Sequence, residues 1–327
     1  MPIPVSTDPD DGGPGKPDFP VPEMWQRTYV SIRGANGEGE EIPLTGFSCG
    51  AWPAIILQPG ATGLDLPPYQ LYMDDSPNLD GSIVRGARAA ARPILLPVFV
   101  YGIDRKTVRA FKRKLGNALN PRRGYCVLTF MEQDGVARRL RCYYAGGMEG
   151  NESVGNAGFT WISYGIQLTA ADPYFYGDTE VGATWTFGAS RAFLHNPFFP
   201  VQLSKGTPAQ NIITVENPGD IEAWPLWTIT GPVRSLKFTG PDGTTWELPE
   251  PSTETDVLAA GRTLTVDCRP GAKTLKDDRG RNYFHLLSPN PSLWSVPPGE
   301  STVKTNLVAG SGTPTVGLRL HPRYETY

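Results

Sequence analysis

The stretch 164–177, YGIQLTAADPYFYG, decides how the chain divides. Through Ala170 it reads as a strand. An acid, a proline and three aromatics then crowd together at 172–176. Proline has no amide hydrogen for a strand ladder, so Pro173 predicts the strand's end. Tyr174, Phe175 and Tyr176 are then expected to cover the seam between two domains. The competing reading is an aromatic shelf for a ligand.

Upstream the pattern is β-rich with one helix. Strand signals run through RTYVSIRG (27–34), EIPL, AIILQPG (54–60) and RPILLPVFVYG (92–102), all rich in residues that suit a pleated sheet. LPPYQLYMDDSPNLDGSIVRG reads as strand, turn, strand. DRKTVRAFKRKLGNALN (104–120) is the convincing helix: Asp104 is a plausible N-cap, and Val108, Phe111, Leu115 and Leu119 form one apolar stripe. Pro121 ends it. A hairpin, YCVLTFMEQDG and VARRLRCYYAGG, and a Gly/Asn-rich loop at 146–158 lead to the final strand. Residues 1–23 hold seven prolines and several acids, so 1–26 is expected to be an extended or disordered arm.

Downstream, 178–210 reads as an irregular linker with an isolated strand-like TWTF (184–187) and the aromatic patch HNPFFP (195–200). From 211 to 327 short strands recur at even spacing: NIITVEN, WPLWTIT, SLKFTG, TTWELPE, RTLTVDC, YFHLL, TVKTNLVAG and TVGLRLHPRYETY. Turns such as NPGD, GPDG and PPGE separate them. No second helix is evident, and the pattern is that of an antiparallel sandwich.

Composition narrows the function classes. Gly (37) and Pro (33) are abundant, which fits many turns, and 39% hydrophobic residues can fill real cores. The net charge of −3 sets up no global field for nucleic acid or membrane. The start lacks the basic and apolar regions of a signal peptide, and no stretch approaches the ~20 apolar residues of a membrane helix. A soluble protein made in a cytoplasm is the expectation.

No catalytic constellation stands out. The three histidines, His195, His285 and His321, are far apart, and His285 in YFHLL is expected to be buried in a sheet. GxSxG, HExxH, P-loop and GxGxxG patterns are missing. Asp74, Ser76, Asn78 and Asp80 alternate like calcium ligands. Yet Leu79 stands where that loop needs Gly, and Arg85 where it needs Glu. No metal or cofactor is expected. Of the cysteines Cys49, Cys126, Cys142 and Cys268, Cys126 and Cys142 can face each other across a hairpin; buried free thiols are the reading taken.

Local charge is more informative. Arg105, Lys106, Arg109, Lys112, Arg113, Lys114, Arg122 and Arg123 place eight cations around the helix of an acidic chain. Three readings stand: a solvated face, a contact with an acidic protein neighbour, or a nucleic-acid contact. The last lacks the interleaved aromatics of a stacking groove. The eight are taken as candidate subunit-interface residues.

The ordered set of pieces resembles the distal tail proteins of siphoviruses, bacteriophages with long non-contractile tails. The resemblance spans 27–327 and rests mainly on LTAADPYFYG and on ITVENPGDIEAWPLWTITG. It implies a mostly β protein. A sandwich or barrel "belt" domain with one helix (27–177) would form a hexameric ring, and a galectin-like sandwich (211–327) would sit outside it. Such a ring joins the tail tube to the tail-tip hub or fibre and surrounds the passage for DNA. Implied partners are other copies of the chain, the tail tube protein and the hub, with the tape measure protein and fibres as further candidates. The implied location is the virion tail tip, after assembly in the host cytoplasm. Members of the family are not enzymes. A different class of function is a carbohydrate-binding module for the host wall, stacking sugars on Trp224, Trp227, Trp246 or Trp294; a wall hydrolase is a third.

Overall fold

The computed structural model describes residues 28–44, 54–187 and 210–327, except 76, 79, 133, 151, 179, 252–254 and 311. The arm 1–26, Cys49, His195 and the patch 195–200 lie outside the described residues. The protein is mostly β, and its first sheet is nearly closed like a barrel.

That sheet is built from β1 (Tyr29–Arg33), β2 (Glu41–Pro43), β3 (Ala54–Leu57), β6 (Arg92–Tyr101), β7 (Cys126–Met131), β8 (Ala137–Gly146) and β9 (Trp161–Ala170), in the order β2-β1-β7-β8-β9-β6-β3. Between β3 and β6 come β4 (Tyr69–Asp75) and β5 (Ser82–Ala89), which pair only with each other. Alternation decides the faces. In β6, Ile94, Leu96, Val98 and Val100 turn inward, each at most 2% exposed. The helix α1 (Arg105–Leu119) packs on β6 and β9 and adds Val108, Leu115 and Leu119 to the core. Asp104 caps it as expected, accepting from the Thr107 amide at 2.7 Å.

Pro173 interrupts the chain more briefly than the sequence implied. β9 ends at Ala170, but a short strand β10 (Phe175–Gly177) resumes in the same sheet, pairing with β8 and with β20 (Arg323–Tyr324). Residues from the far end of the second half therefore complete the first sheet.

The second half is a two-sheet antiparallel sandwich. One sheet orders β11 (Val181–Thr186), β19 (Thr315–Leu320), β13 (Leu226–Thr230), β16 (Thr263–Asp267) and β17 (Thr274–Asp277). The other orders β12 (Gln210–Asn217), β18 (Gly299–Ala309), β14 (Val233–Thr239) and β15 (Thr245–Leu248). Its core holds Trp227, Phe238, Trp246 and Trp294, distinct from the core of the first sheet.

Two expectations are corrected here. β11 lies inside the stretch read as a linker, yet it pairs with β19 from Val181↔Leu320 to Thr186↔Thr315, so the sandwich begins before 211. YFHLL is not a strand. Its centre, Phe284–Leu286, is a 3-10 turn that leaves His285 exposed and buries Tyr283 instead. Cys126 and Cys142 do face each other in register, as free buried thiols. Burial pushes the Cys126 thiol up to about 12.

Candidate assembly surfaces

Three surfaces carry the charged and aromatic residues singled out by the sequence: the seam around β10, the outer face of α1, and the β4–β5 hairpin.

At the seam, Phe175 is fully buried, edge-on to Phe130 at 5.8 Å between ring centres. Tyr174 and Tyr176 turn toward Arg323, whose guanidinium lies 4.6 Å from the Tyr174 ring centre. Arg323 also pairs with Asp172 at 3.1 Å. The Tyr176 hydroxyl donates to Asp172 at 2.5 Å, and burial together with that carboxylate pushes it up to about 12. The Pro173 carbonyl accepts a hydrogen bond from Arg92 at 2.7 Å.

Arg92 is the residue the sequence reading undervalued. It is fully buried and donates to four backbone carbonyls: Pro173 at 2.7 Å, Gly63 at 3.1 Å, Glu325 at 2.7 Å, and Asp65. Its charge is met by dipoles rather than by a carboxylate, and burial lowers its affinity for the proton. The signal was present. In RPILLPVFVY, Arg92 occupies the inward face with Ile94, Leu96 and Val98, where a cation must find internal acceptors.

The eight candidate interface cations divide. Arg105 and Lys112 hold Glu152 of the 146–158 loop, at 3.4 and 2.9 Å, and Lys114 holds Glu40 at 2.7 Å. These three serve the chain's own loops. Lys106, Arg109 and Arg113 are exposed along one stripe, spaced three and four residues apart, and Arg122 and Arg123 follow in an exposed 3-10 turn. None of these five has an ion pair among the described residues. Nor does the helix dipole explain them. Arg105 and Lys106 sit in the first turn, where the dipole favours anions, and the last turn has no cation.

The hairpin exposes apolar side chains on both faces. Tyr69↔Ala89, Leu71↔Ala87 and Met73↔Val84 lie on one face, with Leu71 52%, Met73 55% and Val84 58% exposed. The other face carries Gln70↔Arg88, Tyr72↔Gly86 and Asp74↔Ile83, with Tyr72 46% and Ile83 42% exposed. Asp74, one of the alternating oxygens of the calcium-like pattern, is engaged by Arg85 at 2.7 Å. Among the described residues no group of three His, Cys, Asp or Glu is placed to hold a metal.

A groove of about 700 Å³ runs between the first sheet and the sandwich, lined by Tyr29, Tyr125, Arg139, Arg141, Trp224 and Arg269 among others. Its arginines are largely neutralised from within: Arg33 pairs with Glu41, Arg139 with Asp178 and Arg269 with Asp267. Of the four tryptophans considered for sugar stacking, Trp227, Trp246 and Trp294 are core residues, at most 4% exposed. Trp224 alone of these lines the groove.

No protein-family model matches the sequence, and no curated protein is detectably similar to it. Solved structures are. The Dit protein of phage SPP1, described as a paradigm of the hub adsorption apparatus in phages infecting Gram-positive bacteria, aligns with a TM-score of 0.60 at 14% identity. The alignment covers 90% of this chain and 98% of that one. The fold is that of the SPP1 Dit protein. A chain of the phage P2 baseplate in its activated conformation with calcium aligns at 0.52 and 8% identity, over 92% of this chain and 100% of its own. The same baseplate with strontium gives 0.52 and 9% over the same shares.

Proposed function

We propose that this chain is a structural protein of a phage tail tip: a distal adaptor whose copies close into a ring, six in number, around the DNA passage. It would join the tail tube protein to the tail-tip hub or fibre, with the tape measure protein as a further neighbour. The observation that carries this reading is the likeness to the SPP1 Dit chain over 90% of this chain and 98% of that one. The surfaces support it. A closed ring needs two unlike, complementary faces on each copy. Three exposed cations on the helix and two in the turn after it, with no ion pair among the described residues, on a chain of net charge −3, make one such face. The role is architectural, not enzymatic, and it needs no cofactor.

The test is the native mass of the purified chain at two salt concentrations, with images of the particles. Six 35.6 kDa chains give about 214 kDa and a particle with a central hole. A chain that stays monomeric at every concentration and salt, and also in the presence of tail tube protein, would overturn the ring. Arg109→Glu with Arg113→Glu should shift mass from ring to monomer. This pair is preferable to one containing Lys112, whose removal would also free the loop at Glu152.

A further inference from the structure

The groove between the first sheet and the sandwich holds one cation that its own chain leaves unspent. Register across β1, β7 and β8 puts Arg33, Val127 and Arg141 in one row of the outer face, and Tyr29, Met131 and Ala137 in another. All six line the groove. Arg33, Arg139, Arg269 and Arg323 each have a carboxylate partner. Arg141 is exposed and has no ion pair or side-chain hydrogen bond among the described residues. Its guanidinium rests 5.3 Å from the Tyr125 ring centre and 5.5 Å from that of Tyr176. Aromatic faces hold a guanidinium in place without using its N–H donors. Trp224 adds a half-buried ring to the same wall. An aromatic wall around one fixed, unspent cation suits an apolar peptide that carries an acid.

Such a peptide is continuous with the wall. β1 begins at Tyr29, and the Thr28 hydroxyl donates to Glu132 at 2.8 Å at that end. The sequence leading into Arg27 reads PDFPVPEMWQ (17–26). Over 1–26 the chain carries Asp8, Asp10, Asp11, Asp18 and Glu23 against Lys16 alone. Pro17, Pro20 and Pro22 favour polyproline II, the conformation that docks in aromatic-lined grooves. At its period of three, Phe19, Pro22 and Trp25 share one edge. Distance selects the acid. Arg141 lies two strand spacings across and four residues along from Tyr29, roughly 16 Å away. Glu23, six residues before Tyr29, reaches about 19 Å in polyproline II, whereas Asp18 lies well past that span. The groove, at about 700 Å³, is of the size that takes a short ligand. A nucleic acid fits it worse, because Glu41 and Asp178 line the same walls and repel a polyanion.

We infer that 17–26 turns back along the groove of its own copy, with its apolar edge on the rings of Tyr125, Tyr176 and Trp224 and with Glu23 paired to Arg141. The tether makes the contact intramolecular, so a weak affinity is enough to hold it. The inference goes beyond the ring reading and does not depend on it. It gives the chain an internal ligand, which any partner that enters the groove has to displace.

The experiment puts a nitroxide on the full chain through Val21→Cys, in a Cys49→Ser background. Cys126, Cys142 and Cys268 are buried and escape the label. The spectrum of the parent is expected to be that of an immobilised nitroxide, unchanged on dilution. Arg141→Glu and Glu23→Arg, each alone, should raise the mobile fraction about tenfold, and the two together should restore the immobilised spectrum. Circular dichroism and melting should not change, because Arg141 is exposed and belongs to neither core. A mobile nitroxide in the parent would overturn the inference and leave the groove to another ligand. Immobilisation that ignores both reversals, or single reversals that the double variant fails to repair, would also overturn it by showing that Glu23 and Arg141 do not meet. Immobilisation lost on dilution would assign the groove to the segment of a second copy and overturn the intramolecular contact. None of these outcomes touches the ring, which the native mass tests separately.

Discussion

Arginine has opposite fates at the two ends of the first unit. Arg92 and Arg323 point into the seam, where Arg92 donates to backbone carbonyls and Arg323 donates to Asp172 and the Glu222 carbonyl beside the Tyr174 ring. Arg109 and Arg113 are exposed on α1 and form no ion pair or side-chain hydrogen bond among the described residues. The residue type is the same and the physical roles are opposed. A buried guanidinium with four acceptors is bound into the fold, and its loss leaves those acceptors unmet. An exposed one contributes almost nothing to the fold and is left available to a neighbour. Counting positive charges along the sequence treats the two alike.

The sharpest way to break this contrast is Arg92→Met. The apolar stem is kept, but the carbonyls of Gly63, Asp65, Pro173 and Glu325 lose their common donor. Stability of the first unit should fall by about 3–5 kcal/mol, read as a lowered urea midpoint. A loss under about 1 kcal/mol would mean that the four carbonyls find other donors.

An intermediate effect is expected in alkali. Tyr176 is pushed up to about 12 by burial and by Asp172, and Tyr69 to about 12 by its hydrogen bond to Glu325. A folded value above the ordinary 10.0 means that protonation favours the fold. That contribution is present in full below pH 10 and fades as pH rises toward about 12. Tyr176→Phe should therefore flatten the loss of stability across this window. An unchanged alkaline profile would place the sensitivity elsewhere.

The smallest effect sharpens the contrast from the other side. Arg109→Gln with Arg113→Gln should leave the melting curve within about 0.5 kcal/mol of the parent. Self-association, by contrast, should weaken and lose part of its salt dependence. A clear drop in melting temperature would place the pair in the fold after all.

Much of this could be read from the sequence wherever the determinants are local. Asp104, the stripe Val108–Phe111–Leu115–Leu119 and Pro121 gave the helix its two ends and its buried side. Gly and Pro punctuation gave most strands. What escaped depends on partners far along the chain. β11 is six residues of ordinary strand pattern, and only its pairing with β19, more than a hundred residues away, shows that it belongs to the sandwich. β20 is two residues long, too short for any periodicity. YFHLL has β-forming residues, but a 3-10 turn takes Phe284 and His285 outward. Of the candidate interface, the cations were legible as a group. Their division into loop-holding and outward-facing members was not, because Glu40 and Glu152 are remote in sequence from the helix.

The position of β20 has a consequence for how the protein is made. The first unit ends its own run of sequence at Gly177, but Phe175 and Tyr176 pair with Tyr324 and Arg323, and Arg92 waits for the carbonyl of Glu325. A ribosome adding about 5–20 residues per second needs roughly 7–30 s to travel from one to the other. Throughout that interval the nascent first unit carries an open sheet edge and a buried cation short of one acceptor. Its completion is thus coupled to the emergence of the whole sandwich, so a chain cut short by premature termination lacks the strand that completes the first sheet.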